Sequence, residues 1–261
     1  MSFLKTYLQD LLRRKDLLIY LVKSGLKAEH RNSYLGYFWW LLDPLLSAAV
    51  YYFLIVLVLG RGGPDYPVYL ITGLILWRWM SSSINSSANS ILRYSSIINQ
   101  VYLPKSIFPL SFSITQFINF LFGLVVIFIF LIIFGVPPSW NMLYLPVILF
   151  VVFTFVLAIG LILGFFTIFI RDIENILTHI IRVFFYGSPI IWQDREIPEE
   201  YQFIVDFNPI AKIVNSFRNI MMYQEPPNLV ELTVIFVISV IVIVFMLFYY
   251  YKNEHKIIKA L

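Results

Sequence analysis

The chain has 261 residues, of which 60% are hydrophobic and only 13% are charged, and its formal net charge is +4. Soluble domains carry about 25% charged residues, so this composition excludes a soluble globular protein and indicates an integral membrane protein. The chain contains no cysteine, which excludes disulfides and thiol chemistry. Its length holds about six membrane-spanning helices of roughly 20 residues each and little else.

The first part of the chain, residues 1–33, is basic and amphipathic. Leucine and valine residues recur at helical spacing opposite charged residues, and Asp16 is placed to cap a second short helix. The apolar stretch at residues 17–22 is too short to span a bilayer. We therefore expect an amphipathic interface helix, or a pair of helices, on the cytoplasmic membrane surface. Packing of this region on a partner protein fits the pattern equally well.

Six apolar segments follow in residues 34–261, which we interpret as one transmembrane domain of six helices in an all-α protein. They cover about residues 34–59, 66–90, 108–134, 143–170, 176–191 and 229–251. The second ends in SSSINSSANS, whose hydroxyl and amide groups we expect to face protein or water rather than lipid. Basic residues dominate at the N-terminus, at residues 93–105 and at residues 252–259, so the positive-inside rule places both termini in the cytoplasm.

Two of the connecting intervals are too apolar to be ordinary loops. The cytoplasmic interval Ile91–Leu110 is punctuated by prolines and favours a docking knob for another protein, with Ile97, Ile98, Val101 and Tyr102 exposed. The acidic, external interval at residues 192–228 contains two amphipathic helical pieces, which we expect to be hinged at Asn208–Pro209. Such pieces lie at the membrane face or dip into it.

Five stretches of the chain carry a resemblance to a known family. They are LVKSGLKAEHRNSYLGYFWWLLDPLL, NQVYLPKSIFPLS, FIRDIENIL, YGSPIIW and DFNPIAKIVNSFRNIMM, in this order. Together they resemble the membrane subunit of ABC transporters that export cell-surface polysaccharides, the O-antigen and teichoic-acid exporters. The resemblance extends from about Leu21 to the last span. It implies a homodimeric permease for lipid-linked polysaccharide in the inner membrane, with two copies of a separate ABC ATPase.

The resemblance also implies roles for the irregular regions. In addition to the amphipathic interface helix, it implies a coupling helix at about residues 93–106 and re-entrant gate helices at about residues 192–228. The predicted ATPase-coupling residues are Tyr94, Ile98, Val101, Tyr102, Leu103, Pro104 and Lys105, and the predicted gate residues are Phe203, Phe207 and Phe217. The sequence has no GxxxxGK[ST] motif, so we expect no ATP site and no enzyme activity in this chain. ATP and Mg²⁺ are then used by the partner ATPase alone.

A path for polysaccharide requires aromatic rings, which stack on sugar faces, and hydroxyl or amide groups, which bond to sugar hydroxyls. Tyrosines cluster near the external ends of the first two spans, and serines and asparagines lie at the other end of the second span. The predicted path residues are Tyr51, Tyr52, Tyr66, Tyr69, Ser81, Asn85 and Asn89. An aromatic belt that faces lipid is the alternative for each ring.

Two charged residues, Asp43 and Arg78, are predicted to lie within the membrane. At 1.5 Å per residue, Asp43 lies about 13 Å and Arg78 about 12 Å from the cytoplasmic side of a core of about 30 Å. An isolated charge at this depth costs at least about 2.5 kcal/mol, so we predict that the two form an ion pair. In the alternatives, Arg78 snorkels to the surface while Asp43 faces a wet cavity, or Arg78 holds the phosphates of a lipid-linked donor. Arg78 departs from the family, in which we expect a neutral residue.

Other functions stay open at this point. A teichoic-acid exporter or an exporter of drugs or lipids belongs to the same transport class. An intramembrane enzyme would require acidic pairs or histidines at membrane depth, whereas His30, His179 and His255 lie at predicted cytoplasmic ends. Asp172 and Glu174 have no further carboxylate or histidine nearby, so we predict no metal site.

Overall fold

The structure is a computed structural model that describes residues 2–29, 34–98, 103–194 and 197–261, and these residues contain no β-strand. The predicted all-α fold is confirmed. The α-helices are α1 (Ser2–Arg13), α2 (Lys15–Glu29), α3 (Trp39–Tyr52), α4 (Tyr66–Ala88), α5 (Ser90–Arg93), α6 (Ser95–Ile98), α7 (Ile107–Ile133), α8 (Leu145–Phe166), α9 (Ile173–Tyr186), α10 (Phe203–Asp206), α11 (Pro209–Arg218) and α12 (Leu229–Ala260). Shorter 3₁₀ or π-helical turns adjoin them at Gly36–Phe38, Phe53–Val58, Trp140–Tyr144, Glu199–Tyr201 and Asn219–Tyr223.

Four helical stretches in the described part of the chain are long and apolar enough to cross a membrane. They are Trp39–Val58, Ile107–Ile133, Trp140–Phe166 and Leu229–Ala260, which correspond to the first, third, fourth and sixth predicted spans. α4 is long enough but carries Arg78 and several serines, and α9 has only 14 residues. The crossing of the membrane by α4 and α9, and with it the number of six spans, stays a prediction.

α4 lies at the centre of the helix bundle, where it packs against α3, α7, α8, α9 and α11. Its core-facing side chains are fully buried, as Leu70, Ile71 and Leu76 show. Protein rather than lipid surrounds most of this helix. For this reason α4 tolerates polar residues that would be costly on a helix exposed to lipid.

The two N-terminal helices have the predicted amphipathic character. α2 lies along α7 and buries Leu21 and Val22 there, while Leu12 and Tyr20 are exposed. Burial of one apolar stripe against the bundle explains why these helices fold with it rather than apart from it. Their orientation on the membrane surface stays a prediction.

The last helix is longer than predicted. α12 continues without a break through the basic residues 252–259, which we expected to form a tail after the sixth span. Glu254 in this extension is buried. α12 is also held on α8, because the hydroxyl of Tyr250 donates to the carbonyl of Leu161 at 3.0 Å.

The segment after α9 turns back into the bundle and then forms α10 and α11. The predicted boundary at Asn208–Pro209 is confirmed as the start of α11. The side-chain oxygen of Asn208 accepts a hydrogen bond from the backbone N–H of Ile210 at 2.9 Å, which caps the helix. Its amide nitrogen donates to Oγ of Ser188 at 2.8 Å. Asn208 therefore ties the start of α11 to the turn that follows α9.

Candidate functional site

α3 and α4 carry opposite charges that meet between the two helices. Nη2 of Arg78 donates to Oδ2 of Asp43 at 2.7 Å, so the predicted pairing is present in the structure. The side chains are 46% and 36% exposed, which places the pair at the edge of the bundle and not in its core. On a membrane helix, charges this exposed require water or another polar partner.

Two cavities flank this ion pair. The first, of about 400 Å³, lies between α3, α4 and α7, and its polar lining is Ser82, Asn85, Ser86, Gln116 and Asn119. The second, of about 520 Å³, lies between α3, α4 and α9, and its polar lining includes Ser47, Tyr51, Ser81, Thr178 and Arg182. Arg78 lines both cavities. We call the two cavities and the Asp43–Arg78 pair the polar groove.

The serine-rich end of α4 divides into two faces. Ser83 and Ser87 of α4, and Ser90 at the start of α5, face the core and are fully buried. The hydroxyl of Ser87 donates to the carbonyl of Pro109 at 3.3 Å. α8 approaches closely here because Gly160 has no side chain, since a Cβ at that position would lie 2.7 Å from Cβ of Ser87. These serines serve close helix packing rather than a polar path.

The other predicted path residues lie in different places. Ser81, Asn85 and Tyr51 line the polar groove, as a path would require. Asn89 is partly exposed but lines neither cavity, and Tyr52 is exposed on α3 away from both. The structure therefore brings together three of these five side chains.

Tyr66 and Tyr69 lie in the core. They are 2% and 4% exposed, and their rings stack on each other at 5.9 Å between centroids. The hydroxyl of Tyr66 donates to the carbonyl of Ile191 at 2.5 Å, and that of Tyr69 to the carbonyl of Trp192 at 2.6 Å. Both residues line a cavity beside α11 and neither lines the polar groove. Their rings are almost covered and their hydroxyls hold the turn after α9, so their predicted contact with sugar stays a prediction.

Arg218 of α11 is a fully buried arginine, with 1% of its surface exposed. Its Nη1 donates to the carbonyl of Pro189, and its Nη2 donates to the carbonyls of Tyr69 at 3.0 Å and Ile190 at 2.9 Å. The guanidinium carbon lies 3.4 Å from the centroid of the Tyr69 ring. The site has room for this group only because residue 73 is glycine, since a Cβ on Gly73 would collide with Nη2. Arg218 therefore holds α11 and the turn after α9 on α4.

A third cavity, of about 600 Å³, lies beside α11 and is lined by Asp194 and Asn215 among others. Nδ2 of Asn215 donates to Oδ2 of Asp194 at 2.5 Å. Burial raises the pKa of Asp194 above its usual range, although the hydrogen bond from Asn215 and the charges of Arg218 and Lys212 act in the opposite direction.

The predicted docking knob is folded against the rest of the chain. Ile98 and Leu103 are each 3% exposed, and Lys105 has no exposed surface. The ring of Tyr94 stacks on Phe108 with 5.3 Å between centroids. The prediction that Ile98 is exposed is wrong, because these apolar side chains gain more by joining the cluster around the start of α7 than by facing water.

The remaining coupling residues have mixed outcomes. Pro104 is buried. Val101 and Tyr102 lie outside the described residues, so their predicted role stays a prediction. Arg93 and Ser96 are the exposed residues of α5 and α6 in the part of this region that the structure describes.

The predicted gate residues divide in the same way. Phe203 and Phe207 are 57% and 87% exposed, whereas Phe217 is fully buried beside Arg218. Phe217 belongs to the apolar face by which α11 enters the core, so the prediction that it is an accessible gate residue is wrong. Phe203 and Phe207 stay candidates for a gate.

Comparison with known proteins agrees with the resemblance in the sequence. Residues 16–222 match the family model described as ABC-2 type transporter. The chain belongs to the ABC-2 type transporter family. It is similar to the O-antigen export system permease protein RfbA of Klebsiella pneumoniae, with 36% identity over 79% of this chain and 80% of that protein. It is also similar to the O-antigen export system permease protein RfbA of Myxococcus xanthus, with 28% identity over 89% of this chain and 90% of that protein.

Family membership and the apolar helices make this ABC-2 protein a multi-pass membrane subunit of a transporter in the inner membrane. Sequence reasoning missed the role of Arg218. One signal was available in the sequence, because Val214 and Met221 are apolar and lie one helical turn before and after Arg218. A cation on the apolar face of an amphipathic helix indicates a buried acceptor set, which here consists of backbone carbonyls.

Proposed function

We propose that this ABC-2 protein is the permease subunit of an ATP-driven exporter that moves lipid-linked polysaccharide of the O-antigen type out of the cytoplasm. The names of the similar K. pneumoniae and M. xanthus proteins support this substrate class. The permease acts as a homodimer with its channel between the two copies. Because the chain has no P-loop motif, ATP and Mg²⁺ are used by two copies of a separate ABC ATPase.

In this proposal α4 and α9 cross the membrane together with the four apolar helices, and both termini lie in the cytoplasm. The central position of α4 in the bundle supports its crossing. The segment at residues 197–207, with Phe203 and Phe207 exposed, closes the external exit. Arg218 keeps the last turn of α11 attached to α4.

The polar groove is the observation that carries the proposal. Arg182 of α9 lines one of its cavities, and none of the ion pairs among the described residues includes it. Guanidinium groups bind phosphate oxygens in a bidentate manner, so Arg182, together with Arg78, suits the phosphate that links a glycan to its lipid. Ser81 and Asn85 supply hydrogen bonds to sugar, and Tyr51 supplies an aromatic face.

Reconstitution in proteoliposomes tests the proposal. The permease and its co-expressed ATPase are assembled together, and ATP hydrolysis is measured with and without lipid-linked polysaccharide. We expect the polymer to stimulate hydrolysis, and we expect Arg182→Gln to weaken that stimulation. Arg171→Gln, in the exposed turn before α9, is the matched control. A wild-type complex without stimulation would overturn the proposed function, and an undiminished response in Arg182→Gln would remove the groove from the path.

Contact with the ATPase is tested separately in this cysteine-free chain. A Ser96→Cys variant should form a crosslink to the ATPase with a short bifunctional reagent. A Pro138→Cys variant, in the turn before α8, should not. Crosslinking at position 138 and none at position 96 would place the ATPase on the wrong side of the bundle and contradict the topology.

A further inference from the structure

Three segments that are far apart in the sequence meet beside the start of α7. The hydroxyl of Tyr7 in α1 lies 2.8 Å from Oγ of Ser106. Nζ of Lys105 lies 3.9 Å from Oε1 of Glu254 in the extension of α12. The ring of Tyr7 also contacts that of Tyr251 edge to face, at 6.1 Å between centroids. The predicted coupling segment is therefore attached to both ends of the chain.

The Lys105–Glu254 ion pair is buried. The side chain of Lys105 has no exposed surface, and that of Glu254 is 10% exposed. Burial lowers the pKa of Lys105, and the charge of Glu254 opposes this effect only in part. Removal of two charges from water commonly costs more than their attraction returns, so a pair at this distance is poorly explained as a source of stability. The ion pair is better explained as a link that fixes the coupling segment relative to the end of α12.

A second ion pair holds the opposite end of α12. Nζ of Lys212 in α11 lies 2.9 Å from Oε1 of Glu231, in the first turn of α12. Lys212 also lies 3.6 Å from Oδ1 of Asp206 in α10. At 1.5 Å per residue, Glu231 and Glu254 are about 35 Å apart along one unbroken helix. Each end of this helix thus places a carboxylate on a lysine of another segment.

We propose that α12 is a rigid rod that carries movement of the coupling segment to the external segment of α10 and α11, with Lys105–Glu254 and Lys212–Glu231 as its two charged joints. A displacement of Lys105 by the ATPase moves Glu254, and the intact helix moves Glu231 and the helices that Lys212 holds. Without the first joint, the displacement reaches only α7, which follows the coupling segment directly. The role in transport rests on the proposed function, whereas the coupling between the two ends of α12 does not.

Hydrogen–deuterium exchange on the permease alone tests that coupling. Glu254→Gln should speed amide exchange in residues 209–223 by about fivefold, although these residues lie at the far end of α12. Lys256→Gln changes an exposed charge in the same turn and should leave this exchange unchanged. The double swap Lys105→Glu with Glu254→Lys should restore slow exchange. An effect of Glu254→Gln that stays confined to the residues around Lys105 would overturn the rod.

A second variant separates charge from packing. Lys105→Met combined with Glu254→Leu keeps apolar contact and avoids an unpaired buried charge, so it should fold with a thermal midpoint close to that of the wild type. We expect the same fast exchange in residues 209–223 as in Glu254→Gln. In the reconstituted complex it should lower the polymer exported per ATP by about tenfold while ATP hydrolysis continues. Wild-type exchange in this variant would show that packing, and not the ion pair, forms the joint. Absence of polymer-stimulated hydrolysis in the wild type would count against the proposed function alone.

Discussion

Gly73 and Arg218 form one packing unit, and a double-mutant cycle tests it. Arg218→Gln removes the hydrogen bonds to the carbonyls of Pro189, Tyr69 and Ile190. A hydrogen bond to a charged group contributes about 1.5–3 kcal/mol, and the glutamine amide replaces part of what is lost. We therefore expect Arg218→Gln to lower the free energy of unfolding by about 3–5 kcal/mol.

Gly73→Ala disturbs the same packing of Arg218 against α4 by adding a Cβ to α4. The new Cβ would collide with Nη2 of Arg218, which makes two of the three bonds, and would also approach the carbonyl of Ile190. Overpacking of this kind costs about 1–3 kcal/mol, although alanine favours a helix over glycine by up to about 1 kcal/mol. With Arg218→Gln already present, the collision with the guanidinium is absent. Gly73→Ala should then cost about 2 kcal/mol less than it costs in the wild type.

The assay is unfolding of the purified permease by titration with SDS in mixed micelles, followed by circular dichroism for the wild type, both single variants and the double variant. Gly73→Ala combined with Lys256→Gln is the control, because Lys256 is exposed at the far end of α12 and should contribute additively. Additivity of Gly73→Ala and Arg218→Gln within about 0.5 kcal/mol would refute the reasoning.

Charge reversal tests the Asp43–Arg78 ion pair. Asp43→Arg and Arg78→Asp should each impair folding or export, and the double swap should recover part of the loss. A double variant as poor as both singles together would contradict the pairing. A cysteine in place of Phe207 should react quickly with a water-soluble maleimide and one in place of Phe217 slowly, as measured by mass shift, because the two positions are 87% and 0% exposed; equal rates would contradict the burial of α11. Burial raises the pKa of Asp194 above its ordinary 3.8, so the folded chain holds this proton more tightly than the unfolded chain and the stability from this group is lost as pH rises through the raised pKa. Asp194→Asn should remove that slope from the thermal midpoint measured against pH, and an unchanged slope would show that another group causes it.

Features that depend on neighbouring residues in the sequence were predicted well, and features that depend on distant segments were not. The third predicted span, residues 108–134, differs by one residue at each end from α7 (Ile107–Ile133), because apolar length is a property of the segment itself. The described residues of the predicted coupling and gate intervals form short helices and turns, as expected for irregular regions, whereas their roles stay predictions. Their exposed side chains were predicted poorly, because Ile98 and Phe217 are covered by segments far away in the sequence.

The all-helical, multi-pass character, the resemblance to ABC transporter membrane subunits and the pairing of Asp43 with Arg78 could all be predicted from the sequence. Each of these depends on composition, on motifs or on depth counted along a helix. The sequence could not show which serines of α4 face the groove and which pack against α8, since both faces of that helix carry the same residue type. The burial of Arg218 and Lys105 became visible only in the folded chain. The burial of a charge depends on the acceptors that other segments bring to it, and the partners of these two residues lie elsewhere in the chain, in the turn after α9 and in α12.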